Sequence, residues 1–111
     1  MIQVDFIERE SEEVKTFILS VEGHANYEEH GKDIVCAGVS SLAQALCAFV
    51  MNSDCMFSLE ENATGGMIYL QVENPDDRVR AAIEMAFIGM LQIEMAYPDY
   101  MTITRKQPRK H

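Results

Sequence analysis

The chain has 111 residues with 18 acidic and 9 basic side chains, a net charge of −9, and is 48% hydrophobic and 24% charged. Those figures fit one globular domain spanning residues 1–111 and exclude a disordered or fibrous chain. Four of the nine basic residues fall in the last seven positions, so five basic groups face 18 acidic ones elsewhere, a body charge of −13. Such a body repels nucleic-acid phosphates and attracts a basic protein or peptide.

Residues 2–6 (IQVDF) alternate apolar and polar and predict a strand, and the β-branched and aromatic run at residues 14–22 predicts a second, the polar ERESEE between them closing an antiparallel hairpin. No apolar run is expected to reach the roughly 18 to 20 residues of a membrane span, and the opening turns acidic before any long apolar segment develops, so no signal peptide and a cytoplasmic location are expected. At residues 34–52 apolar positions recur at Val35, Val39, Leu42, Leu46, Phe49 and Val50, the spacing of an amphipathic helix. MFSLEE and GMIYLQVE flank the turn residues NATGG, giving a second hairpin; there the sequon Asn62-Ala63-Thr64 reads as turn chemistry. Asn74-Pro75-Asp76 starts a second helix with Val79, Ala82, Ile83, Ala86, Phe87, Met90 and Leu91 on one face, and Met85 and Met90 read as core filler. Pro98 ends it, MTIT adds a last strand, and residues 105–111 form a flexible basic tail. The order ββαββαβ predicts an α+β two-layer fold, a mixed or antiparallel sheet with both helices packed on one face.

Cys36, Cys47 and Cys55 cannot all pair and lack the spacing of a disulfide framework, so free thiols are expected. His24 opens a polar loop after the second strand, and Cys36 stands where the first helix begins. With Asp33 as N-cap, Cys36 is the third helical residue, where free N–H groups and the positive end of the helix dipole favour a thiolate. One reading is a cysteine nucleophile activated by histidine, with the Val35 and Cys36 amides as oxyanion donors. The other is a small packed cysteine beside a turn histidine, the commoner role on pattern alone. His30 is a second candidate base, Ser40 lies one turn beyond Cys36, and Cys47, eleven residues on and about 16 Å along the axis, reads as core. A metal site drawn from His24, His30, Asp33 and Cys36 matches no standard structural zinc spacing, and no metal or other cofactor is expected.

The blocks His24-Ala25, Gly31, Asp33 to Ala37 and Val39-Ser40, read as GHA, a Gly-containing loop and GxDIVCA running into VS, resemble the bacterial ribosomal-processing cysteine protease family called Prp. The likeness covers the whole chain in length and element order. It implies removal of a short N-terminal extension from large-subunit ribosomal protein number twenty-seven, with His24 as base and Cys36 as nucleophile. It also implies that Asp33 orients the dyad or caps the helix, that the protein is a homodimer, and that a flexible loop at residues 25–32 closes over the substrate peptide with Gly23 and Gly31 as hinges. Gly38 departs from the small, helix-favouring residue expected there and slightly weakens the helix start. Glu22, Glu28 and Glu29 beside the site suit a basic substrate. A non-enzymatic accessory protein that binds a basic ribosomal partner through its acidic face is the rival reading. A thiol redox regulator is a weaker one, because no resolving cysteine lies near Cys36 in sequence.

Overall fold

Five segments form the strands β1 (Ile2–Glu10), β2 (Lys15–Glu22), β3 (Met56–Asn62), β4 (Met67–Glu73) and β5 (Met101–Lys106), with buried and less buried residues alternating most regularly in β1 and β4. Two helices, α1 (His30–Met51) and α2 (Asp77–Ala96), complete the order ββαββαβ. The structure is a computed structural model that describes residues 1–23, 30–62 and 66–108, with backbone only at 30–33.

The strands form one open mixed sheet in the order β3-β4-β2-β1-β5. Both hairpins are antiparallel, with Phe6 opposite Leu19 and Leu59 opposite Leu70, and β2 joins them through Leu19 and Leu70. β5 runs parallel to β1, Ile2 opposite Met101, so α2 carries the chain from β4 across β2 and β1 to the far edge. β2 and β3 also run the same way, each being antiparallel to β4, so α1 is the other crossover.

Both crossovers lie on the face presented by Val4, Phe6, Phe17, Leu19, Leu70 and Val72, all nearly or fully buried. Val35, Val39, Ala43, Leu46 and Val50 of α1 and Val79, Ile83, Ala86 and Met90 of α2 close the core over them. Phe6 sits at its centre, 5.8 Å from the Phe17 ring and edge-on to Phe87 at 5.2 Å. Asp76 caps α2 by accepting from the Val79 N–H at 2.8 Å, and the Tyr97 N–H bonds the Ile93 carbonyl at the other end.

Two glycines set the helix pairing. A Cβ at Gly38 would come within 2.9 Å of Ile93 Cδ1, and one at Gly89 within 2.9 Å of Leu42 Cδ1, so the middle of α1 packs against the second half of α2. Gly38 is thus explained by the close approach of a neighbouring helix.

Several boundaries differ from the sequence reading. β1 runs on to Glu10, which leaves only residues 11–14 for the turn. Arg105 and Lys106 belong to β5, not to the tail: Arg105 lies over the Phe87 ring at 4.7 Å and pairs with Glu8 and Glu84. Met85 is 71% exposed and is not core filler, whereas Met90 is fully buried. Phe49, placed on the apolar face, lies at the surface beside Arg78, whose guanidinium is 5.6 Å from its ring. The uncharged stretch Ile34–Met51 of α1 is long and apolar enough to cross a membrane, contrary to the expectation that no run reaches that length. Its apolar stripe packs against the sheet, the position of a core helix.

Candidate active site

α1 begins at His30, three residues before Asp33. Asp33 is therefore a first-turn residue and not the N-cap, and Cys36 is the seventh helical residue instead of the third. Amides that far into an α-helix bond carbonyls four residues back. The Val35 and Cys36 N–H groups are thereby directed to Gly31 and Lys32, and the oxyanion role expected of them loses its geometric basis. Gly31 and Lys32 likewise belong to the helix, which shortens the loop expected at residues 25–32.

Cys36 follows the fully buried Val35 and lies on a flank of the helix, half-buried, with its side chain packed against the core. The flank can be identified from its neighbours. Gly38 and Leu42 face α2, and the residues some 100° or more away on the helix, Cys36, Ser40 and Cys47, face the β3 side. Cys47 feels the Glu61 carboxylate of β3, which agrees with that placement. Ser40 is exposed one turn beyond Cys36.

The three thiols differ in surroundings. Cys47 is buried, and desolvation, assisted by Glu61, pushes its pKa from 9.0 to about 11, so it stays protonated at neutral pH. The half-buried Cys55 lies 3.6 Å from Asp76 Oδ2 and 3.9 Å from the Asn74 carbonyl, acceptors that hold the thiol hydrogen at the start of α2. Cys36 alone of the three is on the first third of α1.

Gly23 fixes where β2 hands over to the segment bearing His24. A Cβ there would lie 2.8 Å from Ile2 Cα, and a Cβ at Gly66, whose φ is +65°, would lie 2.6 Å from the Gly23 carbonyl oxygen. The strand end is clamped between β1 and the β3–β4 turn, and close approach accounts for this glycine. His24 itself, the catalytic base expected from the sequence, lies outside the described residues, as do Glu28 and Glu29 and the side chains of His30 and Asp33. Gly23 and Gly31, the expected hinges, are respectively clamped and part of α1, and the four-residue metal set rests on side chains outside the described residues. Among the described residues no three His, Cys, Asp or Glu side chains come together as ligands.

A cavity of about 600 Å³, lined by Phe17, Ile83, Pro75, Arg80, Arg9 and Lys15 among others, is far from this cysteine. It sits at the β1–β2 turn, and the seven-residue length of β2 between Lys15 and Glu22, about 23 Å, separates it from the Gly23 end. Sequence reasoning missed the β3 edge, where Met56 and Phe57 are exposed at the cavity's end of the sheet and Glu60 and Glu61 follow toward the Gly23 end. The apolar and acidic halves of MFSLEEN were its signal.

The sequence model of the family described as Cysteine protease Prp matches residues 1–102. Ribosomal processing cysteine protease Prp of Bacillus subtilis (strain 168) is 35% identical, covering 78% of this chain and 85% of that one, and its namesake from Mycoplasma genitalium is 30% identical over 79% and 87%. Among solved structures, SMU.848 of Streptococcus mutans is 30% identical with a TM-score of 0.74, covering 96% of each chain. The essential ribosomal processing protease Prp of S. aureus, solved with a covalently linked product peptide, shares the fold at a TM-score of 0.77 and 24% identity, over 96% of this chain and 100% of that one. The family model over residues 1–102 and relatives at 30–35% identity make this small α+β domain a cysteine protease, which sets aside the accessory-protein reading. More narrowly, the chain belongs to the Prp family of ribosomal-processing cysteine proteases.

Proposed function

We propose that this protein removes the N-terminal extension of the precursor of large-subunit ribosomal protein number twenty-seven in the cytoplasm, with Cys36 as nucleophile and His24 as base. The observation that carries the reading is a half-buried thiol in the first third of α1 in a chain of the Prp family. His24 takes the Cys36 proton, and the sulfur attacks the scissile carbonyl carbon to form a tetrahedral oxyanion. Collapse breaks the C–N bond as His24 returns the proton to the leaving amine. Water, deprotonated by His24, then hydrolyses the thioester and restores the thiol. Asp33, no longer needed as a cap, is free for the orienting role. Ser40 flanks the thiol, and the segment after Gly23 closes over the peptide. No cofactor enters these steps.

The net charge of −9 favours a basic protein substrate and disfavours nucleic acid. A homodimer is part of the same reading. Met85, Ile88 and Met95, 71%, 52% and 75% exposed, line the outer side of α2 as the apolar stripe it would cover.

The test is incubation of the purified precursor with wild-type, Cys36→Ser and His24→Ala proteins, followed by mass spectrometry. A single cut near the precursor's N-terminus, absent with both variants, is expected. Cleavage by Cys36→Ser, or no cleavage by folded wild type, would end the reading.

A further inference from the structure

The two edges of the sheet are built differently. At the β5 edge the Ile103 N–H, which points away from β1, is taken at 2.7 Å by Glu94 Oε2 of α2, and Arg105 is pinned by Glu8 and Glu84. That edge is closed. β3 pairs with β4 on one side, and the described residues place no strand on the other. Six of its seven residues are exposed. Met56–Asn62 contains no proline, lysine or arginine to discourage a further strand, and Met56 and Phe57 are left 72% and 41% exposed. Glu60 and Glu61 guard its second half, but its apolar first half lacks, among the described residues, the lysine, proline or cover that usually discourages a further strand.

This edge runs toward the proposed nucleophile. Glu61 pairs with Ile68, which pairs with Val21, so the last residues of β3 lie at the end of the sheet where β2 hands over to α1. Cys36 stands on the flank of α1 that faces β3, as the effect of Glu61 on Cys47 shows for that flank. Along the edge, Phe57, Leu59 and Glu61 stand opposite the buried Val72, Leu70 and Ile68 and face the helix layer, whereas Met56, Ser58 and Glu60 face the other side, and a small hollow of about 90 Å³ lined by Met56, Phe57, Ser58, Gln71 and Glu73 opens at the strand start.

We infer that the exposed edge of β3 receives the substrate as an added strand, resting on the protease reading above. An extended peptide pairs its backbone with β3, places alternate apolar side chains against Phe57 and Leu59 with a basic group toward Glu61 on the helix face, and turns the intervening side chains to the Met56 hollow and Glu60 on the other face. The scissile bond is thereby delivered to Cys36. Main-chain pairing supplies grip without reading sequence, and the alternate pockets supply selectivity.

Hydrogen exchange on full-length Cys36→Ser protein, with and without a synthetic peptide spanning the precursor junction, tests this. Alternate β3 amides should slow by roughly tenfold or more on binding, while β5 is unchanged. N-methylation of alternate peptide amides should weaken binding by roughly tenfold, with the intervening positions tolerated. Bound peptide without slowing in β3, slowing in β5 instead, or β3 amides already slow in peptide-free protein and released on dilution, as pairing with a second copy requires, would each overturn the assignment. Cleavage of the precursor by wild type separates the two readings. If it cuts while β3 does not respond, only the edge assignment falls; if it neither cuts nor binds, both fall.

Discussion

Cys47 and Cys36 are eleven residues apart on one helix, yet one side chain is sealed against the sheet and the other stands at its margin. Burial penalises the charged thiolate, and the Glu61 carboxylate adds to the penalty, so the Cys47 pKa rises from 9.0 to about 11. A raised folded-state pKa means that the folded protein holds a proton the unfolded chain has lost between those values. The contribution is therefore intact below pH 9 and disappears as pH climbs to about 11, a loss on the order of 2 kcal/mol. Denaturant melts across that range should show the decline, and Cys47→Ala, less stable overall, should lack this component of it. At pH 7.5 iodoacetamide should modify Cys36 first, Cys55 more slowly and Cys47 only on unfolding; early labelling of Cys47 would contradict its burial. The sequence showed that Cys36 and Cys47 share a helix, because apolar spacing carries that information. It did not show how differently they are solvated, because burial depends on where the sheet ends.

α1 illustrates what a hydrophobic pattern cannot register. Its apolar stripe starts at Val35, and Asp33 resembles an N-cap, yet the helix extends back to His30 through a polar first turn. A turn that buries nothing leaves no periodic trace. Gly31 consequently falls in the first turn, where a proline's missing N–H has no intrahelical partner to lose and its fixed φ is compatible. Gly31→Pro should change folding stability by less than about 1 kcal/mol while lowering precursor turnover at least about tenfold if this turn must reshape around the substrate. Gly38→Val is the contrast, since its side chain would collide with Ile93 and should cost about 1–3 kcal/mol. Equal losses of activity and stability in Gly31→Pro would mark a folding defect. α2 was legible to a greater degree: it starts directly after Asn74-Pro75-Asp76 as read, with Asp76 as its cap, and Val79, Ile83, Ala86 and Met90 all face the core. Met85 was misplaced because it precedes Ala86 by one residue, a rotation of 100° that turns it off the buried face.

At the scale of the molecule, the alternation of Ile2, Val4 and Phe6 and the two hairpin turns were enough to give the layer arrangement, since helices that cross over strands must cover one apolar face. The parallel seating of β5 beside β1 was harder to read, because MTIT carries no mark of its partner. The surface left over after these layers form is what makes assembly testable. Met85, Ile88 and Met95 follow one line down the outside of α2, with Gln92 between them, and burying such a line against its own copy removes apolar area from water. Opposing that gain, each 12.6 kDa protomer carries −9, so two copies repel across any shared face. Salt screens the repulsion and leaves the apolar term intact. Sedimentation equilibrium should therefore give twice the chain mass, with tighter association at higher ionic strength, and Met85→Glu combined with Ile88→Glu should yield a folded monomer at every salt concentration. A wild type that is monomeric at micromolar concentration, or a double variant that still dimerises, would remove α2 as the interface. Because the stripe lies on the outer side of the helix layer and the β3 edge lies in the plane of the sheet, the monomeric variant should keep its β3 edge intact and still bind the junction peptide.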